Sequence, residues 1–182
     1  MPAAPNDVAH ECVVLSAAAH GVPPDLLVAI RKQENGEVGK VSHNTDESID
    51  MGPMQVNDIH LEDVQKKWGL TQSDLVNHEC ANYFVAADLL RGHLARNKGD
   101  VWKSMGDYHS KTQEHHWTYR PLVKAHHERL LRSYGPYVNW LRQAADAVRR
   151  GLFSGVESVR SPMQNRAETK ELVNPYRAKL PR

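Results

Sequence analysis

The sequence predicts a mainly α, α+β fold, and three observations carry that reading. Apolar residues recur every three or four positions along most of the chain, the period of a helix with one buried face. Proline, glycine and short polar residues fall where helices start and stop. One stretch, 37–57, breaks the period. It carries Gly39, Ser42, Asn44, Thr45, Asp46 and Ser48 and reads as loop with short strands.

The elements follow in order. Asn6 or Asp7 is placed to cap a first helix with the stripe Val8, Cys12, Leu15 and Ala19, ended by Gly21. Pro23-Pro24-Asp25 opens a second helix through Leu26, Leu27, Ile30 and the stem of Arg31, stopped at Asn35-Gly36. Within the loop, Met51 to Val56 is the expected strand. Asn57-Asp58 caps a third helix through Lys67, closed by Gly69, and Thr71 to Val76 forms a short helical turn. A fourth helix runs from Glu79 to Arg96 with the stripe Cys80, Phe84, Ala87, Leu90 and Leu94. Lys98-Gly99 ends it, and Asp100 caps a short helix through Tyr108. A long helical stretch covers Glu114 to Tyr134, with a kink or restart expected at Arg120-Pro121 and a break at Gly135-Pro136. Tyr137 to Arg150 is amphipathic through Trp140, Leu141, Ala144 and Val148. The division expected is a main domain over 6–135, a C-terminal amphipathic helix over 136–150, and a polar, flexible or partner-binding tail over 151–182.

Composition narrows the function classes. Forty per cent hydrophobic and 25% charged residues in a chain of 182 fit a globular domain with its own core, not a disordered chain. A net charge of +1 creates no field that favours nucleic acid or an anionic membrane. No apolar run approaches the roughly 18 residues of a membrane span. Met1-Pro2-Ala3-Ala4-Pro5 has neither the basic start nor the apolar stretch of a signal peptide, which leaves a cytosolic protein or a processed exported one. Cys12 and Cys80 are by composition either free core thiols or one bridge. Both lie on the apolar stripe of a helix, which favours the bridge. The eleven histidines raise a metal site, but His127-Glu128-Arg129-Leu130-Leu131 has leucine where a second ligand belongs. The adjacent pairs His115-His116 and His126-His127 point to different helix faces, so no metal is expected.

Three clusters carry chemistry. Glu34 sits in the last turn of the second helix, where the negative end of the helix dipole disfavours a carboxylate. Shielded from water, it would have the raised pKa of a general acid for glycosidic cleavage. On position alone, a solvated surface glutamate is the commoner case. The second cluster is Ser48-Ile49-Asp50-Met51-Gly52-Pro53-Met54-Gln55-Val56-Asn57. Gly52 permits close backbone approach or positive φ, Gln55 offers the donor and acceptor a sugar acetamide needs, and Met54 offers an adaptable apolar contact. An ordinary turn feeding a strand and a helix cap is the plain alternative. The third cluster, Tyr108-His109-Ser110, places aromatic and polar groups at a helix end.

Taken in chain order, these strings resemble the lytic transglycosylase domain of the lysozyme-like superfamily. Within it they are similar to the specialised branch attached to type III and type IV secretion and conjugation systems. Cys12 and Gly21-Val22-Pro23-Pro24-Asp25-Leu26-Leu27 look like its opening helices, and Ala29-Ile30-Arg31-Lys32-Gln33-Glu34 like the helix that ends in its acid. Ser42-His43-Asn44-Thr45 and Asp50 to Asn57 are similar to its Gly-Leu-Met-Gln-Ile-Asn segment. Cys80-Ala81-Asn82 resembles a Cys-x-Asn whose cysteine bridges to the first helix. Tyr108-His109-Ser110 matches its late cleft motif. Asn35 stands where the family has serine, and Pro53 where it has leucine.

The resemblance covers roughly Cys12 to Tyr134. It implies a lysozyme-like helical bundle with a small β-hairpin lip over an active-site cleft, no cofactor, and a Cys12–Cys80 disulfide. It implies cleavage of the β-1,4 bond between N-acetylmuramic acid and N-acetylglucosamine in peptidoglycan. Glu34 would be the acid and then the base, and the product a 1,6-anhydro sugar. Gln55 and the backbone near Met54 and Gly52 would hold acetamide groups. Tyr108 would contact sugar or orient Glu34. Ser48, Asn57 and His109 are further candidates for substrate contact, Asn57 equally a helix cap. The location implied is the periplasm, with the tail available to secretion or conjugation channel components. Two alternatives stay open: a hydrolase that uses Asp46, Glu47 or Asp50 as second carboxylate, and a non-catalytic wall-bound assembly factor.

Overall fold

The computed structural model describes residues 2–109 and 113–151, with side chains in the second stretch from 117 onward. Ser110 and all of the polar tail beyond Gly151 lie outside the described residues. The fold is mainly α, as expected: seven α-helices and one small antiparallel sheet among the described residues.

Helix α1 (His10–His20) starts later than the capping residues suggest. Ala9 occupies the cap position without a side-chain hydrogen bond, because Asp7 turns instead to pair with Lys32. Gly21, at φ 65°, ends α1 in the left-handed conformation that glycine adopts without a Cβ penalty. Pro24 opens α2 (Pro24–Glu34), and Asn35 closes it at φ 50°, its N–H bonded to Arg31 O. Every residue of α2 from Pro24 to Arg31 is buried, so it is the central rod of the molecule, with α1, α5 and α7 packed around it.

The 37–57 stretch folds as three strands in the order β1-β2-β3: β1 (Val41–His43), β2 (Ile49–Met51) and β3 (Val56–Asn57). Val41 pairs with Met51, and Met51 pairs with Val56. The single strand expected from Met51 to Val56 is therefore corrected to a strand end, a four-residue turn and a second strand. The turn is forced by Gly52 at φ 65° and Gln55 at φ 48°. Its apolar residues, Met51, Met54 and Val56, are buried because the turn plugs into the core.

Asn57 caps a 3₁₀ turn (Asp58–His60) through its Oδ1, which accepts from Ile59 N at 3.0 Å; α3 (Leu61–Trp68) follows. Helix α4 (Gln72–Asn77) begins with a capping box between Thr71 and Asp74. Helix α5 (Glu79–Arg96) matches its expected limits. Asp100 accepts from Lys103 N at 3.0 Å at the start of α6 (Val101–His109). Helix α7 (Gln113–Arg149) passes Pro121 with helical dihedrals. The break falls at Tyr134 (φ −134°, ψ 32°), one residue before Gly135-Pro136.

Leu27, Ile30, Tyr83, Leu90, Met105, Tyr137 and Leu141 are fully buried together, so residues 136–149 share one core with α1 to α6. Two cross-links bind it. Cys12 and Cys80 form a disulfide between α1 and α5, their Cα atoms 4.7 Å apart. Asp25, 1% exposed, accepts from Arg142 Nε at 2.9 Å and Nη2 at 2.7 Å, and pairs with His127 Nε2 at 2.8 Å. Burial works to raise the Asp25 pKa, but these hydrogen bonds outweigh it and hold the carboxyl far below the usual range. No helix among the described residues is long and apolar enough to cross a membrane.

Candidate active site

The C-terminal end of α2, the β2–β3 turn, the end of α6 and the start of α7 converge on Glu34. Burial pushes the Glu34 carboxyl up to about 7; a hydrogen bond from Tyr119 opposes this and the charge of Asp50 adds to it. The Tyr119 hydroxyl donates to Oε1 at 2.6 Å. Tyr119 is 4% exposed, and the ring of His109 stacks on it with centroids 4.7 Å apart and 3° between planes. Tyr108 donates to Met54 O at 3.0 Å. Its phenol pKa is raised well above the ordinary value by burial, then by the charges of Glu34 and Asp50. A carboxyl whose protonated form is favoured by burial thus shares the site with two buried phenols, Tyr108 and Tyr119.

The turn packs against the chain just past the end of α2 because two glycines allow it. A Cβ on Gly36 would run into Gly52 O and come within 2.6 Å of Gln55 Nε2. A Cβ on Gly52 would lie 2.6 Å from Leu75 O and 2.8 Å from Asn82 Nδ2. Asn82, fully buried on α5, holds the turn from behind: it donates to Met51 O at 2.8 Å and Leu75 O at 3.0 Å and accepts from Met54 N at 2.8 Å.

The site residues expected from the sequence divide accordingly. Gly52 and Gln55 lie against Gly36, two residues beyond Glu34; the Tyr108 phenol feels the charge of Glu34; and His109 stacks on Tyr119, the donor to Glu34. Gln55 Nε2 bonds to Gly52 O at 2.9 Å, which braces the turn and leaves its Oε1 out of that bond. The Met54 side chain, expected as an adaptable sugar contact, is 0% exposed and belongs to the core. Its backbone N–H and carbonyl are held by Asn82 and Tyr108. Ser48 and Asn57 work inside the lip. Asn57 Nδ2 donates to Asp50 Oδ1 at 2.8 Å and to Ser48 Oγ at 3.1 Å. Asn44 donates to Asp50 Oδ2 at 3.0 Å, so each oxygen of Asp50 is held by an amide.

The sequence profile of the transglycosylase SLT domain matches residues 11–120, from the first bridged helix to the tyrosine on Glu34. The chain belongs to the SLT transglycosylase family. Over 103 residues, 56% of this chain, it is 30% identical to Invasion protein IagB of Salmonella typhimurium (strain SL1344). That match covers 63% of IagB, so the chain spans under two thirds of this relative. It is 29% identical over 138 residues, 75% of this chain and 84% of the relative, to Protein IpgF of Shigella flexneri. A shorter match, 30% over 97 residues, joins it to a Peptidoglycan-binding-like protein of Escherichia coli O157:H7. Within this SLT domain, Tyr119, Gly36 and the supporting role of Asn82 escaped the sequence reading. Asn35-Gly36 reads as a helix stop, and nothing local marks Tyr119 as the partner of a residue 85 positions earlier.

Proposed function

We propose that the protein is a peptidoglycan lytic transglycosylase. It cleaves the β-1,4 bond between N-acetylmuramic acid and N-acetylglucosamine and leaves a 1,6-anhydro end. The observation that carries the reading is Glu34, a carboxyl pushed to about 7 by burial at the end of α2, under a phenol donor. At neutral pH a large fraction is protonated, as an acid must be before it gives its proton to the glycosidic oxygen. As the C1–oxygen bond breaks, the proton passes to the leaving sugar and Glu34 becomes a carboxylate. Tyr119 then donates to a charged acceptor, a stronger hydrogen bond than before. The C6 hydroxyl of the muramyl ring next loses its proton to Glu34 and its oxygen closes on C1. The acid is regenerated without water. Gln55 and the backbone around Gly52 orient the acetamide groups.

A second reading is a lysozyme-type hydrolase, and one observation favours it: the charge of Asp50 is felt at Glu34 while both Asp50 oxygens are held by amides. A two-carboxylate glycosidase would need Asp50 across the cleft from Glu34. Digestion of purified peptidoglycan, read by mass spectrometry beside Glu34→Gln, separates the two. Anhydro-muropeptides support the transglycosylase, and reducing-end products support the hydrolase with Asp50. Products unchanged by Glu34→Gln would overturn both.

The Cys12–Cys80 bridge fits an oxidising compartment, here the periplasm. A role beside a secretion or conjugation apparatus, opening the wall locally, is part of this reading, and the likeness to a relative named as an invasion protein supports it.

A further inference from the structure

His109, the last residue of α6, lays its ring flat against Tyr119 of α7, 3° from parallel. Tyr119 is 4% exposed while His109 is exposed, so the imidazole covers one face of a buried phenol. That phenol is the group that donates to Glu34 Oε1 at 2.6 Å. A phenolic hydrogen prefers the plane of its ring, through conjugation of the oxygen lone pair. The plane of Tyr119 therefore sets the direction in which its O–H is aimed. A flat ring stacked on that plane restricts its swing. Histidine suits the place because it offers an aromatic face to the tyrosine and a polar edge to water, where phenylalanine would expose an apolar ring.

We propose that His109 is a positioning residue: stacked on Tyr119, it keeps the phenolic O–H directed at Oε1 of Glu34. The inference rests on the reading of Glu34 as the proton donor. It gives His109 a role at the second remove from substrate, in place of sugar contact.

The test titrates the Glu34 carboxyl by carbon-13 NMR in the parent, His109→Ala, His109→Phe and Tyr119→Phe, alongside kcat and KM on purified peptidoglycan. The Tyr119 hydrogen bond lowers the Glu34 pKa. A loosened donor in His109→Ala therefore moves the midpoint upward, in the direction of Tyr119→Phe. With it kcat falls about five- to tenfold, the worth of one aromatic stack, at unchanged KM. His109→Phe restores both. An unmoved or lowered midpoint in His109→Ala overturns the proposal, as does a rise in KM at constant kcat or failure of His109→Phe to rescue. The titration needs no turnover, so an inactive parent would count against the transglycosylase reading while the midpoint still decides the role of His109.

Discussion

Glu34 and Asp25 are nine residues apart on one helix, yet they meet opposite electrostatic fates. Asp25, in the first turn of α2, lies at the positive end of the dipole and is held by Arg142 and His127; Glu34, in the last turn, lies at the negative end and in a dry site. The raised Glu34 pKa is a stability statement. Its protonated form is favoured in the folded state, so its contribution is complete below about 4.5 and is lost as pH rises through about 7. Glu34→Gln removes that loss. Urea unfolding at pH 8 should find the variant more stable by about 2–3 kcal/mol, with no advantage at pH 4, while cleavage falls by at least about 10²-fold. Tyr119→Phe should shift the alkaline limb of the activity profile to higher pH, because it removes the one hydrogen bond that lowers the acid. Glu34 was legible in the sequence as a carboxylate at an unfavourable helix end. Tyr119 was not, since a hydrogen bond between residues 34 and 119 leaves no local pattern.

Among the elements, the β2–β3 turn decides whether the site exists. In sequence it resembled a strand because Met51, Met54 and Val56 are buried, and burial alone does not separate a strand from a turn that plugs a core. Gly52 was legible as a position needing freedom; that the reason was Leu75 O and Asn82 on the far side was not. Gly52→Ala combines a positive φ with that collision and should lower stability by about 2 kcal/mol or more, read as a drop in melting temperature. Asn82→Ala leaves Met54 N, Met51 O and Leu75 O without their buried partner. It should cost about 3 kcal/mol. It should also reduce cleavage more than the folded fraction falls, as activity per folded molecule will record.

For the whole molecule, the helical class and the limits of α5 followed from apolar period and helix punctuation. The unity of the core did not. Pro136 after Gly135 marks a break in α7, but Tyr137, Val138 and Leu141 cross it back into the same interior. Asp25 fastens that segment, and its lowered pKa sets the sign: the stabilisation is present above about 4 and is lost as pH falls toward the folded pKa. Asp25→Ala should lower stability by about 3 kcal/mol at pH 7, and the gap to the parent should narrow in titrations below pH 4. Reduction of Cys12–Cys80, which closes a separation of 68 residues, should cost about 4 kcal/mol in the loop-entropy model. A melting curve with and without reductant would measure it.

The distance along the chain between Glu34 and its phenol has a consequence for biogenesis. A chain emerging from its amino end presents the acid early, but the hydroxyl that orients it arrives 85 residues later, and the arginine that clamps α2 arrives 117 residues after Asp25. A nascent, nicked or half-threaded chain thus carries the carboxyl as an ordinary hydrated glutamate. On the proposed reading of Glu34 as the acid, competence would then wait for α7 to dock, and folding itself would be the safety catch.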